Sequence, residues 1–446
     1  MRSTRSYWER FLLPGIWLRR LVRSVVGVPV YAVRGTARLV ADPARQVVSY
    51  WGAERATIRQ GFAANFISAL TSLISGVVLA LMDERLLETK GLFILIPVSI
   101  GMRGNIFGSL SARLGTAIHS GLFEVTRKKE GTLYQNAYSA MVLTFATSVI
   151  MGLLARGIAG LLGIETISAL DFVAIAVLGG VISSAIVLAF TVFLSIASYR
   201  REWDLDSVGV VLVTVIGDVV TLPAIFLASF IHGIPVATTI IGVIAIGLAI
   251  FVGVRAWRSH YVIVRRIVRE SLFVLTIAIV LDILAGSVVE PRVEHVFVAF
   301  PAFLIFLPGL LENTGALGSI LAARLGTKLH LGAASPKARP DAPALLDGSI
   351  VLLLGLFLYS VSSVTTLITA ELTGARYPGA LLFLAATMTA GLLAMVLAGV
   401  IGYYAAIIAY RAGLDPDNHT IPIVTSGMDL MGAICLVGAI AIFGIG

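Results

Sequence analysis

Pro97–Gly121, PVSIGMRGNIFGSLSARLGTAIHSG, returns in outline 211 positions later as Pro308–Gly332, PGLLENTGALGSILAARLGTKLHLG. Arg-Leu-Gly-Thr at 113–116 reappears at 324–327, and Pro97, His119 and Gly121 meet Pro308, His330 and Gly332. The same spacing carries Tyr199-Arg200 to Tyr410-Arg411, Asp204 and Asp206 to Asp415 and Asp417, Thr214 to Thr425, and Asp218 to Asp429. Apolar segments resemble one another by chance, but chance does not hold rare polar residues in one register. The chain therefore contains one unit twice.

The composition says what kind of unit it is. The 446 residues are 58% hydrophobic and 13% charged, with a mean hydropathy of +0.96. A soluble chain carries about 25% charged residues. So few charges cannot cover a water-facing surface of this size, which points to lipid as the solvent. The 44 glycines fit closely packed membrane helices. Apolar segments run through 61–82, 91–121, 136–163, 171–199, 207–231, 235–255, 271–289, 296–330, 346–372, 378–410 and 419–445. Most exceed the ~20 residues needed to cross a bilayer. The sole cysteine, Cys435, excludes an internal disulfide and a cysteine metal site. Near the start, Phe11–Leu18 is too short to span and no small-residue cleavage site follows it, so no signal peptide is expected.

These segments group as an all-α polytopic membrane protein. A basic segment, 1–60, carries eleven arginines and is expected in the cytoplasm or on the membrane surface. There Trp8, Phe11, Trp17 and Leu21 would line one face of a surface helix. A five-helix repeat at 61–231 follows, then a linking helix at 232–260, then a second five-helix repeat at 261–446. Five is odd, so direct fusion would invert the second copy, and the eleventh helix restores its orientation. The copies are expected to be parallel, related by a pseudo-two-fold along the membrane normal. Such a chain is a pseudo-dimer in itself, so a monomer suffices. Lys and Arg concentrate in the loops at 126–130, 199–206, 255–269 and 328–339, which puts the N-terminus in the cytoplasm and the C-terminus outside.

Ionisable residues inside spans are costly and mark function. Asp218 and Asp429 sit about a dozen residues into the last helix of each repeat. Pseudo-symmetry would bring them to the axis, where two carboxylates offer hard oxygen ligands to a partly hydrated divalent cation. Each could instead bond a buried partner. Thr214 and Thr425, one turn earlier, share a face with them and would line the path or simply pack. Asp206 and Asp417 begin the same helices, as N-caps or as acids at the cytoplasmic mouth. Asn105 and, in the other repeat, Asn313 and Glu312 are further pathway candidates. Arg113 and Arg324 are expected to pair with Asp206 and Asp417 or with headgroups. Asp282, matching Thr71, has no acid counterpart in the other repeat.

At Pro97–Gly121 and at Asp415–Gly432, DPDNHTIPIVTSGMDLMG, the chain resembles the MgtE family of magnesium channels and its duplicated solute-carrier relatives. The resemblance covers 61–446. It implies a Mg²⁺-selective pathway between two five-helix units, with the last-helix aspartate of the family at Asp429 and, through the repeat, at Asp218. MgtE proteins are homodimers, in keeping with a fused pair. This chain departs from them in three ways. A basic segment of about sixty residues stands where MgtE carries a large cytoplasmic sensor. Val211 stands opposite Pro422, and the second repeat lacks the Gly-Asn of 104–105.

The expected function is transmembrane transport of a divalent cation, Mg²⁺ foremost. One alternative is a Na⁺- or H⁺-coupled exchanger on the same scaffold, with Glu312 and Asp282 as coupling groups. Another is a membrane-embedded enzyme or scaffold. The sequence has no P-loop, no HExxH and no Ser/His/Asp arrangement at a plausible spacing, which argues against ATP-driven pumping and hydrolysis; neither enzymatic activity nor a nucleic-acid partner is expected.

Overall fold

The computed structural model describes residues 43–126, 128–201, 205–413 and 420–445. Residues 1–42, with the expected surface helix, lie outside these, as does Asp417. Asp206 falls within a described helix, but its side chain is outside the described set.

A docked helix, α1 (Pro43–Ala53), leads into α2 (Arg55–Ala80). After a short helix at Asp83–Glu88 come α3 (Leu95–Arg103) and α4 (Ser109–His119), joined by a widened π-turn at Gly104–Gly108. Next are α5 (Thr132–Leu161), α6 (Ala169–Arg201) and α7 (Leu205–Ser229), which close the first repeat. The linking helix is α8 (Pro235–Trp257). The second repeat holds α9 (Val262–Val289), α10 (Ala302–His330), α11 (Ala342–Thr373), α12 (Ala380–Ala412) and α13 (Ile421–Ile442). Counting α3 and α4 as one crossing, eleven helices among the described residues are long and apolar enough to span a membrane.

Side chains such as Val236, Ile244 and Phe251 on α8 and Leu381 on α12 point outward in the open. Water would penalise that surface by ~25 cal/mol per Å², whereas lipid does not. The protein is a multi-pass, all-α membrane protein of two five-helix repeats and one linking helix. The repeat reaches into the turns. Gly121 and Gly332 both adopt φ of 70° after matched helices, and so do Gly163 and Gly374. These are left-handed helix ends that only glycine adopts without strain.

The repeats exchange their first helices. α2 packs on α10 and α11 of the second repeat, and α9 packs on α3 and α5 of the first. Each also touches the last helix of its own repeat, α7 or α13. Small residues permit this. A Cβ on Gly76 would lie 2.0 Å from the Ile305 carbonyl oxygen, and one on Gly286 would lie 2.7 Å from the Ile94 Cα. Ile94 and Ile305 are themselves one repeat apart, so the same crossing is made twice, backbone against backbone. Reciprocal exchange of this kind is what a two-fold axis between parallel units produces. α8 stands outside, covering α5, α6 and α9 through Val149, Val177, Ala245 and Ala249 and through Val142, Ala256 and Val264.

The halves differ where their sequences differ. α10 runs unbroken, while its counterpart widens at Gly104–Gly108, where two glycines flank Asn105 and support an α-turn poorly.

Candidate functional site

Four acids from four helices meet inside the protein: Asp218 on α7, Asp282 on α9, Glu312 on α10 and Asp429 on α13. Asp218, Asp282 and Asp429 are 5%, 0% and 8% exposed, and Glu312 is partly buried. Asp218 lies within hydrogen-bonding reach of Glu312, and Asp282 within reach of Asp429. Asp429 is also near enough to Asp218 and Glu312 to interact with both through space. Asp218 and Asp429 therefore share one interior site, but each has another acid as its immediate neighbour.

Helix packing dictates this. Asp218 on α7 reaches Glu312 on α10. Glu312 is the residue on α10 that replaces Gly101 on α3, one repeat earlier. Across the pseudo-axis the bare Gly101 faces the other pair. A Cβ there would sit 2.7 Å from Asp282 Oδ2 and 3.7 Å from Asp429 Oδ2.

Carboxylates accept hydrogen bonds and do not donate them when ionised. Asp218 Oδ2 and both Asp282 oxygens are buried and make no well-aligned hydrogen bond. Two such groups side by side in an apolar span repel unless a cation or a proton stands between them. Hard oxygen donors select Mg²⁺, Ca²⁺ or Mn²⁺ over softer metals. Among the described residues no three His, Cys, Asp or Glu side chains stand close enough to enclose a metal ion. An ion held here would be gripped by two carboxylates and would keep much of its water.

The other candidates fall around this centre. Asn313 is 1% exposed, and its Oδ1 accepts from Ser68 Oγ at 2.7 Å, leaving Nδ2 without a partner. Thr214 faces Gly104, whose Cβ would lie 3.7 Å from the threonine methyl. Thr425 faces the matching Gly315 more tightly, at 3.1 Å to its Cα, and its hydroxyl donates to the Ile421 and Pro422 carbonyls of its own helix. Asn105 lines a small cavity with Ser109, Arg113, Ser271 and Pro422, and its Nδ2 is buried without a partner.

Among the described residues, the arginines have partners beyond the expected ones, while the Asp206 side chain and Asp417 lie outside the described set. Arg324 bonds Asp347 Oδ1 through Nε and Nη2, at 3.0 and 2.9 Å, and contacts Glu54 at 3.3 Å. Lys328 reaches Asp347 Oδ2 at 2.7 Å, and Tyr50 donates to Oδ1 at 2.7 Å, tying α1 to the second repeat. Arg113 bonds Asn136, which matches Asp347. These described partners come from the following helix and from the N-terminal stretch, because α4 and α10 end beside α5 and α11.

Sequence reading passed over Arg103. It is 1% exposed, with Nη1 on Ser184 at 3.0 Å and with Nε and Nη2 without partners. A lone arginine in mid-span was the available signal. Its repeat counterpart, Thr314, instead shares a 2.7 Å hydrogen bond with Tyr359.

Comparison with known proteins agrees with the repeat. The family model MgtE, described as a divalent cation transporter, matches residues 96–228 and again 307–439. Solute carrier family 41 member 3 of Mus musculus is 20% identical over 369 residues, covering 77% of this chain and 74% of that protein. Its Rattus norvegicus counterpart is 20% identical over 374 residues, covering 77% and 78%. No solved structure matches.

Proposed function

The chain belongs to the MgtE family of divalent cation transporters, and from that premise we propose that it carries Mg²⁺ across the cell membrane between its two repeats. The pathway follows the pseudo-two-fold interface, bounded by 61–231 on one side and 261–446 on the other, with 232–260 as the link. The N-terminus is cytoplasmic and the C-terminus external. Asp218 and Asp429 bind the ion in mid-pathway. Thr214, Thr425, Asn105, Asn313 and Glu312 line the route, and Asp206 and Asp417 stand at the cytoplasmic mouth.

The observation that carries this reading is the meeting of Asp218 and Asp429, one repeat apart, in a buried site with further carboxylates and, among the described residues, no cationic side chain paired with them. A buried site made of acids has a use only if a cation or a proton visits it. Two carboxylates around a partly hydrated ion suit Mg²⁺, which gives up its water reluctantly.

The test is purified protein in liposomes loaded with a Mg²⁺-sensitive dye. An inward Mg²⁺ gradient is expected to give uptake, and Asp218→Asn or Asp429→Asn to slow it about tenfold or more, a loss of ~1.4 kcal/mol in ion stabilisation. Uptake that requires an added Na⁺ or pH gradient would establish the coupled exchanger. No uptake under any gradient, from protein that elutes as one species, would reject transport.

A further inference from the structure

The two last-helix aspartates occupy equivalent places, but their neighbours do not. Asp218 faces Glu312, which stands on the second helix of the opposite repeat. By symmetry Asp429 should face the residue at the same place in the first repeat, and that residue is Gly101. The space left by its absent side chain is filled from another direction. Asp282, on α9, puts Oδ2 2.7 Å from where the Gly101 Cβ would be. Its own repeat counterpart is Thr71, whose hydroxyl is turned back onto the Ile67 and Ser68 carbonyls. The acid that the second helix lacks here is supplied by the first helix of the other repeat, within the same small volume.

A buried aspartate placed for packing alone would be surrounded by donors. Asp282 is completely buried, neither of its oxygens makes a well-aligned hydrogen bond, and only the Ser426 hydroxyl stands within donating reach among the described residues. Ser426, one turn before Asp429 on α13, is a separate witness. It lies within hydrogen-bonding reach of Asp282 and is 1% exposed. A hydroxyl turned to one carboxylate still offers its oxygen lone pairs to a ligand. Serine and carboxylate oxygens together form a hard, cation-seeking donor set.

The geometry points to a second cation site, formed by Asp282, Asp429 and Ser426, beside a first formed by Asp218 and Glu312. This rests on the reading of Asp218 and Asp429 as ion-binding and goes beyond it, because the single axial site becomes two unequal ones. Among the described residues no three acids enclose one point, so each site is a two-carboxylate grip on a hydrated divalent ion. The longer Glu312 arm and the shorter Asp282 arm make the two grips different. Neighbouring occupied sites repel, and that helps a bound ion leave.

The experiment counts Mn²⁺, a hard divalent probe that electron paramagnetic resonance reports, on full-length protein in detergent. The wild type is expected to bind about two Mn²⁺ per chain, one per carboxylate pair. Asp282→Asn is expected to leave one, and so is Glu312→Gln. The decisive variant moves the acid back to its symmetric place. Gly101→Glu together with Asp282→Thr gives the second site the arrangement of the first and is expected to restore the second ion. A merely structural aspartate would not be replaced by a glutamate on another helix. Gly101→Glu alone is expected not to raise the count, since its Cβ would meet the Asp282 oxygen.

An unchanged count in Asp282→Asn, with flux still lost in Asp429→Asn, overturns the second site and leaves the transport reading standing. A double variant that elutes as one species but binds a single ion overturns it too. A wild type with neither Mn²⁺ binding nor Mg²⁺ flux removes both.

Discussion

Asp347 gathers Arg324, Lys328 and Tyr50 onto one fully buried carboxylate. Its counterpart in the first repeat is Asn136, which accepts from Arg113 and donates to the Thr132 carbonyl. Removing Asp347 would leave Lys328 without its anion and Arg324 with Glu54 alone, and would loosen α1, which keeps the Trp51–Ser349 hydrogen bond. Arg324 and Lys328 are partly solvated, at 21% and 26% exposed, so water would soften the loss. Asp347→Ala is expected to cost about 2 kcal/mol, and Asp347→Asn less, because the amide still accepts as Asn136 does. Thermal unfolding in detergent measures both; equal stability of Asp347→Ala and wild type would show that the cluster contributes nothing. The cluster was hidden from the sequence because its members come from positions 50, 54, 324, 328 and 347, and no spacing rule links them. The intramembrane acids were legible for the opposite reason. A carboxylate in an apolar span is conspicuous by itself. Which acid would neighbour which was not legible, because that depends on how the helices cross.

At the scale of elements, the crossing of first helices over the opposite second helices depends on two glycines. The Gly76 Cβ position overlaps the Ile305 carbonyl, which cannot move without breaking its own helix. Gly76→Ala is expected to destabilise by about 2 kcal/mol or more through overpacking. Gly253→Ala on α8, with nothing within 4 Å of its Cβ position, is the control and is expected to unfold at the wild-type temperature or slightly above. Equal melting of the two variants in parallel scans would refute the close crossing. The helices and their order follow from hydropathy and from the glycines that end them. The π-turn at Gly104–Gly108 does not, since Gly-Asn in a span fits close packing as well as a widened turn.

For the whole molecule, exchange of first helices means that neither repeat is a self-contained bundle. Ser72 and Gly309 lie one on each repeat, and a Gly309 Cβ would be 3.3 Å from the Ser72 Cβ. Disulfides favour Cβ atoms about 3.8 Å apart. With Cys435 replaced by Ser, Ser72→Cys plus Gly309→Cys is expected to cross-link under mild oxidation. Cutting at a protease site inserted between α8 and α9 should then leave one band without reductant and two with it. Two bands without reductant would place α2 in its own repeat. The fused, parallel pair was legible because duplication leaves register in the sequence. Exchange leaves none, because swapped and unswapped pairs of the same repeats have the same sequence.

By itself, the sequence determined that this is a two-repeat helical membrane protein with an acid in the last helix of each repeat, because hydropathy, span length and register are properties of the linear chain. The tertiary structure alone decided that Asp282 stands where Gly101 leaves room and that Asp218 faces Glu312. Those neighbours are set by helices from different repeats meeting at glycine-thin crossings, where a separation of a few ångströms, unrelated to distance along the chain, determines which charges share a site.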